Sequence, residues 1–384
     1  MNRLKRIVLF TLVGVTFLSV PIHFWMTDPQ DVMRRAFFLQ APLAKLSQQC
    51  SPNSPGWLGR MSLAGVDQLK ALSTQVAFVD KNGGLSHCET GWQSTVLFSR
   101  RVDDNTRFRY GSLTKPVTAS AIIILANEER IDYRDDLVDS LNLGITSFVN
   151  AAFREVTVEQ LLRHRSGIQG EIFLNRKKTA CPNELASFIA EGKIKRAGEF
   201  EYSNMGYCLL GEVISNKVGR PYKNAIDQLY GLNQRGILFV EYERKGDEVK
   251  RDFRFNDFYG VNNKGRFDYE SVAATAGLSG SASAYSLLLK DIIGKTNGEI
   301  LAGFDESCDD SNFKSCYGYG FYAYTPPEGR RLLVKEGYMP GASGVVVVNE
   351  EREIFVWLGN SDTENAVSGE SMRKFLKRLG GEGF

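Results

Sequence analysis

The chain has 384 residues, 43% of them hydrophobic, with 37 glycines and 11 prolines, the composition of a folded protein of one large or two ordinary domains. Its 47 basic and 45 acidic side chains leave a net charge of +2, and no basic block follows the N-terminus. A balance that close gives no long-range attraction to nucleic acid, so no nucleic-acid partner is expected.

In chain order, the first feature is a basic cluster. Arg3, Lys5 and Arg6 precede an uncharged run from Ile7 to Val20. That order, basic and then apolar, is the layout of an export signal. Counted through Met26 the run reaches about 20 residues, long enough to cross a bilayer. Pro21 and His23 interrupt it, and no small-x-small cleavage site follows. Residues 1–26 are expected to form an uncleaved signal anchor in the inner membrane. A cleaved signal is the alternative, and a buried N-terminal helix the bland third reading. Either of the first two places the rest of the chain in the periplasm, because the basic residues stay on the cytoplasmic side.

Residues 27–70 read as a tether and a first helix. "QVAFVD" followed by "KNGG" predicts a strand and a turn, and "TVLFSRRV" a second strand. From Ser112 to about Leu143 the pattern is helical. The stretch from about 150 to 235 holds the helical segments "VTVEQLLRH" and "NMGYCLLGEVISNKV". Near the end, "GVVVVNEEREIFVWLGN" predicts two strands joined by a polar turn, and "ENAVSGESMRKFLKRLG" a closing amphipathic helix. Strands early and late with helices between predict an α/β sandwich, its sheet built from both chain ends and a helical region inserted.

Six cysteines are present, none in a CxxC pair, and with three histidines a zinc site is poorly supported. An even count in an oxidising compartment permits disulfides. Cys308 and Cys316, flanking a short polar loop, are the expected pair. Cys208, in the apolar "GYCLLGEVI", is open between a disulfide and a buried thiol.

The chemistry turns on which hydroxyl, if any, is a nucleophile. A Ser-His-Asp site needs a histidine, and only His164 in "LLRHRSGI" is placed for one. No GxSxG elbow is present: "GLSGS" and "PGASG" both fail the spacing. "GKT" at Gly294 lacks the earlier glycine of a phosphate-binding loop. Ser112 and Lys115 remain. Three residues apart on a helix, their side chains lie on one face. A serine at the helix start also meets the positive end of the macrodipole. Pro116 is tolerated there because first-turn N–H groups have no intrahelical partner. A hydroxyl needs a base beside it, and a lysine serves if burial or a neighbouring cation lowers its pKa. Taken alone the pattern is weak, since a chain this long holds roughly one or two S-x-x-K matches by chance. Ser112 alone reads as a helix cap, Tyr202 with Asn204 as a turn, and Lys335 as a solvated strand residue.

Five segments in order change that reading. "TRFRYGSLTKPVTASAIIILANEERIDYRDDL" resembles the nucleophile helix of the serine β-lactamase and penicillin-binding superfamily, in its class C β-lactamase-like branch. "VTVEQLLRHRSGI" is similar to that branch's "LLTHTSGL". "FEYSNMGYCLLGEVISNKVGRPY" resembles its Y-x-N block, and "AATAGLSGSASAYSLLLK" its "AGGLxSTAxDL". "LLVKEGYMPGASGVVVV" resembles the strand that carries K-T-G or H-x-G. The resemblance spans about 74 to 375. It implies a β-lactamase/DD-peptidase-like sandwich, with residues 71–384 as the hydrolase domain and a helical subregion at about 112–235. It implies that Ser112 is acylated and that Lys115 takes or relays its proton. It further implies that Tyr202 is the general base in acylation and then activates water or protonates the leaving group, and that Asn204 bonds substrate or Lys115. Lys335 would lie beside the cleft and support a lowered Tyr202 pKa. The backbone N–H groups of Ser112 and Tyr338 would form an oxyanion hole. Gly111 and Gly337 would allow close backbone approach or serve turns, and His164 would be structural. No metal or organic cofactor is implied.

The third motif departs from the pattern: it reads Lys335-Glu336-Gly337, with Glu336 where relatives often carry Thr, Ser or Gly. Glu336 and Gly337 are the expected substrate-binding positions. An ionised glutamate cannot donate to a substrate carboxylate. Like charges at about 4 Å cost roughly 1 kcal/mol in water and about 4 kcal/mol near a protein surface. Lys335 alternates to the other side of the strand. The expected function is an exported serine hydrolase acting on a cell-wall peptide or β-lactam-type amide, with small-molecule or peptidoglycan-like substrates as partners. An esterase or D-aminopeptidase is the alternative, and a non-turnover penicillin-binding sensor or scaffold the reading from another class.

Overall fold

The structure is a computed structural model that describes residues 14–15, 19, 22–94, 96–144, 151–170, 172–173, 180–192, 194–241, 245–250, 268–361 and 369–384. The elements used below are, in chain order, α1 (Pro29–Arg35), α2 (Phe37–Leu46), β1 (Gln49–Cys50), α3 (Gly56–Asp67), β2 (Thr74–Val79), β3 (Leu85–Thr90) and β4 (Phe108–Arg109). They continue with α4 (Thr114–Asn127), α5 (Leu137–Leu141), α6 (Val158–Leu162), α7 (Asn204–Val218), α8 (Tyr222–Tyr230), β5 (Leu238–Phe239), α9 (Ala273–Ala276), β6 (Leu278–Gly280) and α10 (Ala282–Lys295). The chain closes with β7 (Cys316–Tyr317), β8 (Tyr322–Tyr324), β9 (Leu332–Met339), β10 (Ala342–Val348), β11 (Ile354–Gly359) and α11 (Gly369–Gly381).

The β-branched runs of β10 and β11 are buried on both faces and form the middle of an eight-stranded antiparallel sheet, ordered β1-β3-β2-β11-β10-β9-β8-β7. Its first three strands come from before residue 91 and the other five from after residue 315, with the helices between, so the expected α/β sandwich is what forms. Alternation sorts the side chains onto two faces. One row runs Lys335, Val346, Val356, Ala77 and joins the core packed with α4, α7 and α10. The other runs Glu336, Val345, Trp357, Val76, where α3 and α11 bury Leu58, Met61, Phe375 and Leu376. A small sheet, β4-β6-β5, shares no strand pairing with these.

The feature that positions the site is a half-free strand. β9 pairs with β10 from Leu333 to Met339, but with β8 only from Leu332 to Val334. Past Val334, its second edge has no strand neighbour among the described residues.

Several expectations need correction. "TVLFSRRV" is not a strand: Leu97 has φ +66°, Gln93 N–H donates to Arg100 O at 2.8 Å, and a single bridge joins Trp92 to Arg101. The strand beside β2 is the polar-looking "LSHCET" of β3. The helical stretch from Ser112 to Leu143 divides into α4 and α5. Cys208 is bonded to Cys181, which settles its open state; Cys308 pairs with Cys316 as expected, and Cys50 with Cys88. Residues 49–67 belong to the packed body, through β1 in the sheet and α3 against it. Most of the expected N-terminal anchor lies outside the described residues. Among the described ones no helix is long and apolar enough to cross a membrane.

Candidate active site

Ser112 sits in a 3-10 turn, Gly111–Leu113, immediately before α4. It is thus one step ahead of the helix rather than its cap, and still at the positive end of the dipole. The turn lies against the free edge of β9. A Cβ on Gly111 (φ +54°) would be 2.5 Å from Tyr338 N, and one on Gly337 2.0 Å from Tyr110 O. No side chain fits in either gap, so both glycines permit an approach that any other residue would prevent. That approach brings the Ser112 turn alongside the backbone of Tyr338.

Lys115, in the first turn of α4, is wholly buried. Its Nζ lies 3.0 Å from Ser112 Oγ, 2.7 Å from Asn204 Oδ1 and 3.1 Å from the Thr275 carbonyl oxygen. Asn204 opens α7, whose N-cap Ser203 accepts the Gly206 N–H. Tyr202, one residue before that cap, donates its hydroxyl to Ser112 Oγ at 2.9 Å. Burial, and then the charge of Lys335, hold the Lys115 amine well below the ordinary lysine range. A neutral amine has two N–H donors and one lone pair. Asn204 and Thr275 offer two acceptors, which leaves the lone pair for the Ser112 hydroxyl proton.

Tyr202 behaves differently from expectation. Burial pushes its phenol up, the Ser112 bond opposes this, and Glu336 adds to it. Lys335 Nζ lies over the Tyr202 ring, 4.9 Å from the centroid, and donates at 3.0 Å to Tyr317 OH. Lys335 therefore does not lower the Tyr202 pKa as expected, because it meets the ring face and desolvation dominates. Tyr202 is a proton donor to Ser112, and Lys115 is the group suited to be its base.

Burial brings Lys335 down to about 7, against Glu336, which raises it. Glu336, also buried, is pushed up to about 7 by desolvation, and Lys314 opposes the shift. Its Oε2 pairs with Lys314 Nζ at 2.8 Å, while its Oε1 has no partner among the described residues. The cation that offsets Glu336 is thus Lys314.

His164 does more than fill space. Its carbonyl oxygen accepts the Glu201 N–H at 2.8 Å, and its Nδ1 accepts the Ser203 N–H at 3.1 Å. The two bonds bracket Tyr202, whose ring lies 4.3 Å from the imidazole. Burial keeps the imidazole neutral, well below its ordinary pKa. Of the expected residues, Ser112, Lys115, Tyr202 and Asn204 form one hydrogen-bonded group, and Lys335 adjoins it through the Tyr202 ring. Glu336 lies outside it. Sequence reasoning missed the Thr275 carbonyl, Tyr317, Lys314 and the bracket made by His164. Thr275 stands in a segment the resemblance had marked; nothing in the sequence singled out Tyr317 or Lys314. The described residues hold no cluster suited to a metal ion.

A hydrogen-bonded serine–lysine–tyrosine group with its lysine buried, on this sandwich, defines a serine hydrolase of the β-lactamase and penicillin-binding type. Residues 75–375 match the family described as Beta-lactamase, and the chain belongs to that family. It is 29% identical, over 98% of its length and 97% of the relative's, to the "Probable fimbrial assembly protein FimD, serogroup H1" of Dichelobacter nodosus. It superposes on the beta-lactamase/D-alanine carboxypeptidase of Yersinia pestis with a TM-score of 0.68 at 15% identity, covering 86% of this chain and 100% of the other. The D-amino acid amidase of Ochrobactrum anthropi SV3 with L-phenylalanine gives 0.63 at 18% identity, over 83% and 98%. These likenesses show a shared fold.

Proposed function

We propose that the protein is an exported serine hydrolase that acts through an acyl-enzyme at Ser112 on a cell-wall peptide or β-lactam-type amide. The observation that carries the reading is the position of Ser112 Oγ between the Lys115 amine at 3.0 Å and the Tyr202 phenol at 2.9 Å. In acylation, the Ser112 proton passes to Lys115 as Oγ bonds to the substrate carbonyl carbon. The oxyanion forms toward the Ser112 and Tyr338 N–H groups, where one such donor is typically worth about 10²–10³ in rate. As the carbon–nitrogen bond breaks, the leaving nitrogen takes the Tyr202 proton, and the proton held by Lys115 restores the phenol. Water then attacks the ester carbon and gives a proton to the same pair; as the carbon–Oγ bond breaks, the pair passes that proton to Oγ, which restores Ser112 and releases the acid.

Two observations support export: the basic cluster before Ile7–Val20, and three disulfides, which persist in oxidising compartments. The same N-terminal run supports anchoring in the inner membrane, with a cleaved signal as the alternative. Glu336 favours a second reading, an esterase or D-aminopeptidase, because it replaces a hydroxyl donor with a carboxyl paired to Lys314. Incubation with a fluorescent penicillin and with nitrophenyl esters separates these readings. Turnover lost in Ser112→Ala supports a hydrolase, and the class of substrate turned over chooses between amide and ester. A label that stays on Ser112 without release points to a non-turnover binder.

A further inference from the structure

The large hydrophobic side chains left exposed are concentrated in one region. Among the described residues, Leu287 is the single one outside residues 15–46 and 97–98. On α2, Phe38 (70% exposed), Leu39 (61%), Leu43 and Leu46 (83%) project outward. At about 100° per residue they fall within one arc of about 140°. The opposite side buries Ala41 and Ala44 in the cluster formed with Val66, Leu72 and Trp92. Val96 packs on that same cluster, and the next two residues, Leu97 and Phe98 (87% exposed), form the tip of its loop. Two separate elements therefore present apolar side chains beside each other.

We infer that α2 and the Leu97–Phe98 tip form a lipid-binding surface that seats the catalytic body on the membrane. Two observations name lipid as the occupant. The chain enters α1 from a helical stretch, residues 22–27, on which Phe24, Trp25 and Met26 are exposed, and that stretch continues the uncharged run from Ile7. Aromatic side chains of this kind settle at the membrane–water boundary. Arg34, Arg35 and Lys45 lie on the same two helices and Arg100 and Arg101 follow the tip, while Asp31, Asp67 and Asp103 pair with three of them. With Asp28 and Asp104 counted, this set is balanced at five basic to five acidic side chains, so Arg34, Arg35, Lys45, Arg100 and Arg101 border the apolar face without a net basic field. An apolar helix face bordered by basic residues lies in the interfacial plane with its apolar side about 5–10 Å deep. This inference rests on the proposed membrane attachment of the N-terminal segment, and it adds a second contact.

The test uses the full chain in vesicles of phosphatidylethanolamine and phosphatidylglycerol. All six native cysteines are paired, so one added thiol is labelled selectively. A polarity-sensitive fluorophore is placed at Leu43→Cys, Phe98→Cys or, on α10 at the other face of the sheet, Leu287→Cys. Lipids carrying a nitroxide just below the headgroup should quench the first two by about half and leave the third unchanged. If the protein floats with the vesicles but neither label is quenched, the surface is not lipid-bound, although the N-terminal attachment stands. If the protein does not float, both readings fall. Labels that shift to the blue with protein concentration, without lipid quenching, mean a contact between copies, and that also overturns the inference.

Discussion

Lys115 Nζ has three oxygen neighbours within 3.1 Å, and one of them is Ser112 Oγ, at 3.0 Å. Two are pure acceptors and the third is a hydroxyl with a proton to give. With Lys115 neutral, this geometry suits it to the proposed role of base. Lys115→Arg installs a permanently charged group and should lower kcat/KM by about 10²–10⁴. The rate of the unmodified enzyme should rise with pH and reach its plateau below the ordinary lysine range. Lys335→Met removes a charge that holds Lys115 down, so the acidic limb should move to higher pH. A limb that stays in place would show that Lys335 does not tune the base.

Tyr202 should act as an acid. Burial holds its phenol above its ordinary value, so the pH profile should show no loss of a required Tyr202 proton below about pH 10. Tyr202→Phe should reduce turnover of amides more than of nitrophenyl esters, because nitrophenolate leaves without a proton. Equal losses on the two substrates would contradict the donor role.

His164 should be a positioning residue. It brackets Tyr202 through Glu201 and Ser203 and touches no reacting atom. His164→Ala should lower kcat about tenfold or more with little change in KM. His164→Asn, which keeps an acceptor near the Nδ1 position, should recover most of it. Since the imidazole stays neutral, the shape of the pH profile should not change in either variant. A change in KM alone would mean that the residue contacts substrate.

Glu336 should make stability depend on pH. Its folded pKa, about 7, lies above its ordinary 4.5. A raised carboxyl pKa adds stability below pH 4.5, and that stability is lost as pH rises through about 7. Lys335, lowered from 10.5 to about 7, acts in the separate window between those values. The melting temperature should fall between pH 4.5 and 7 relative to Glu336→Gln. Parallel curves would show that the carboxyl titrates normally. Glu336→Thr restores a hydroxyl and should speed acylation by penicillins.

Much of this was legible in the sequence where pattern and burial agree. "GVVVV" and "IFVWLG" read as strands because strands buried on both faces are apolar throughout. "LSHCET" did not, because its place comes from pairing with β2 and from the Cys50–Cys88 bond rather than from its own side chains. "TVLFSRRV" has strand composition, but Leu97 takes a left-handed turn. The site residues Ser112, Lys115, Tyr202 and Asn204 were identifiable as motifs in order. Their protonation was not, since it depends on burial: the phenol expected to be lowered is raised. The pairing of Glu336 with Lys314 joins positions 22 residues apart in sequence, and no spacing marks it.

The most direct test is the mass of the protein after brief incubation with an acylating substrate, followed by peptide mapping. The account predicts one acyl adduct on Ser112, formed slowly or not at all in Lys115→Arg and absent in Ser112→Ala. An adduct that persists in folded Ser112→Ala, or none on the folded unmodified protein with any penicillin or ester, would contradict it.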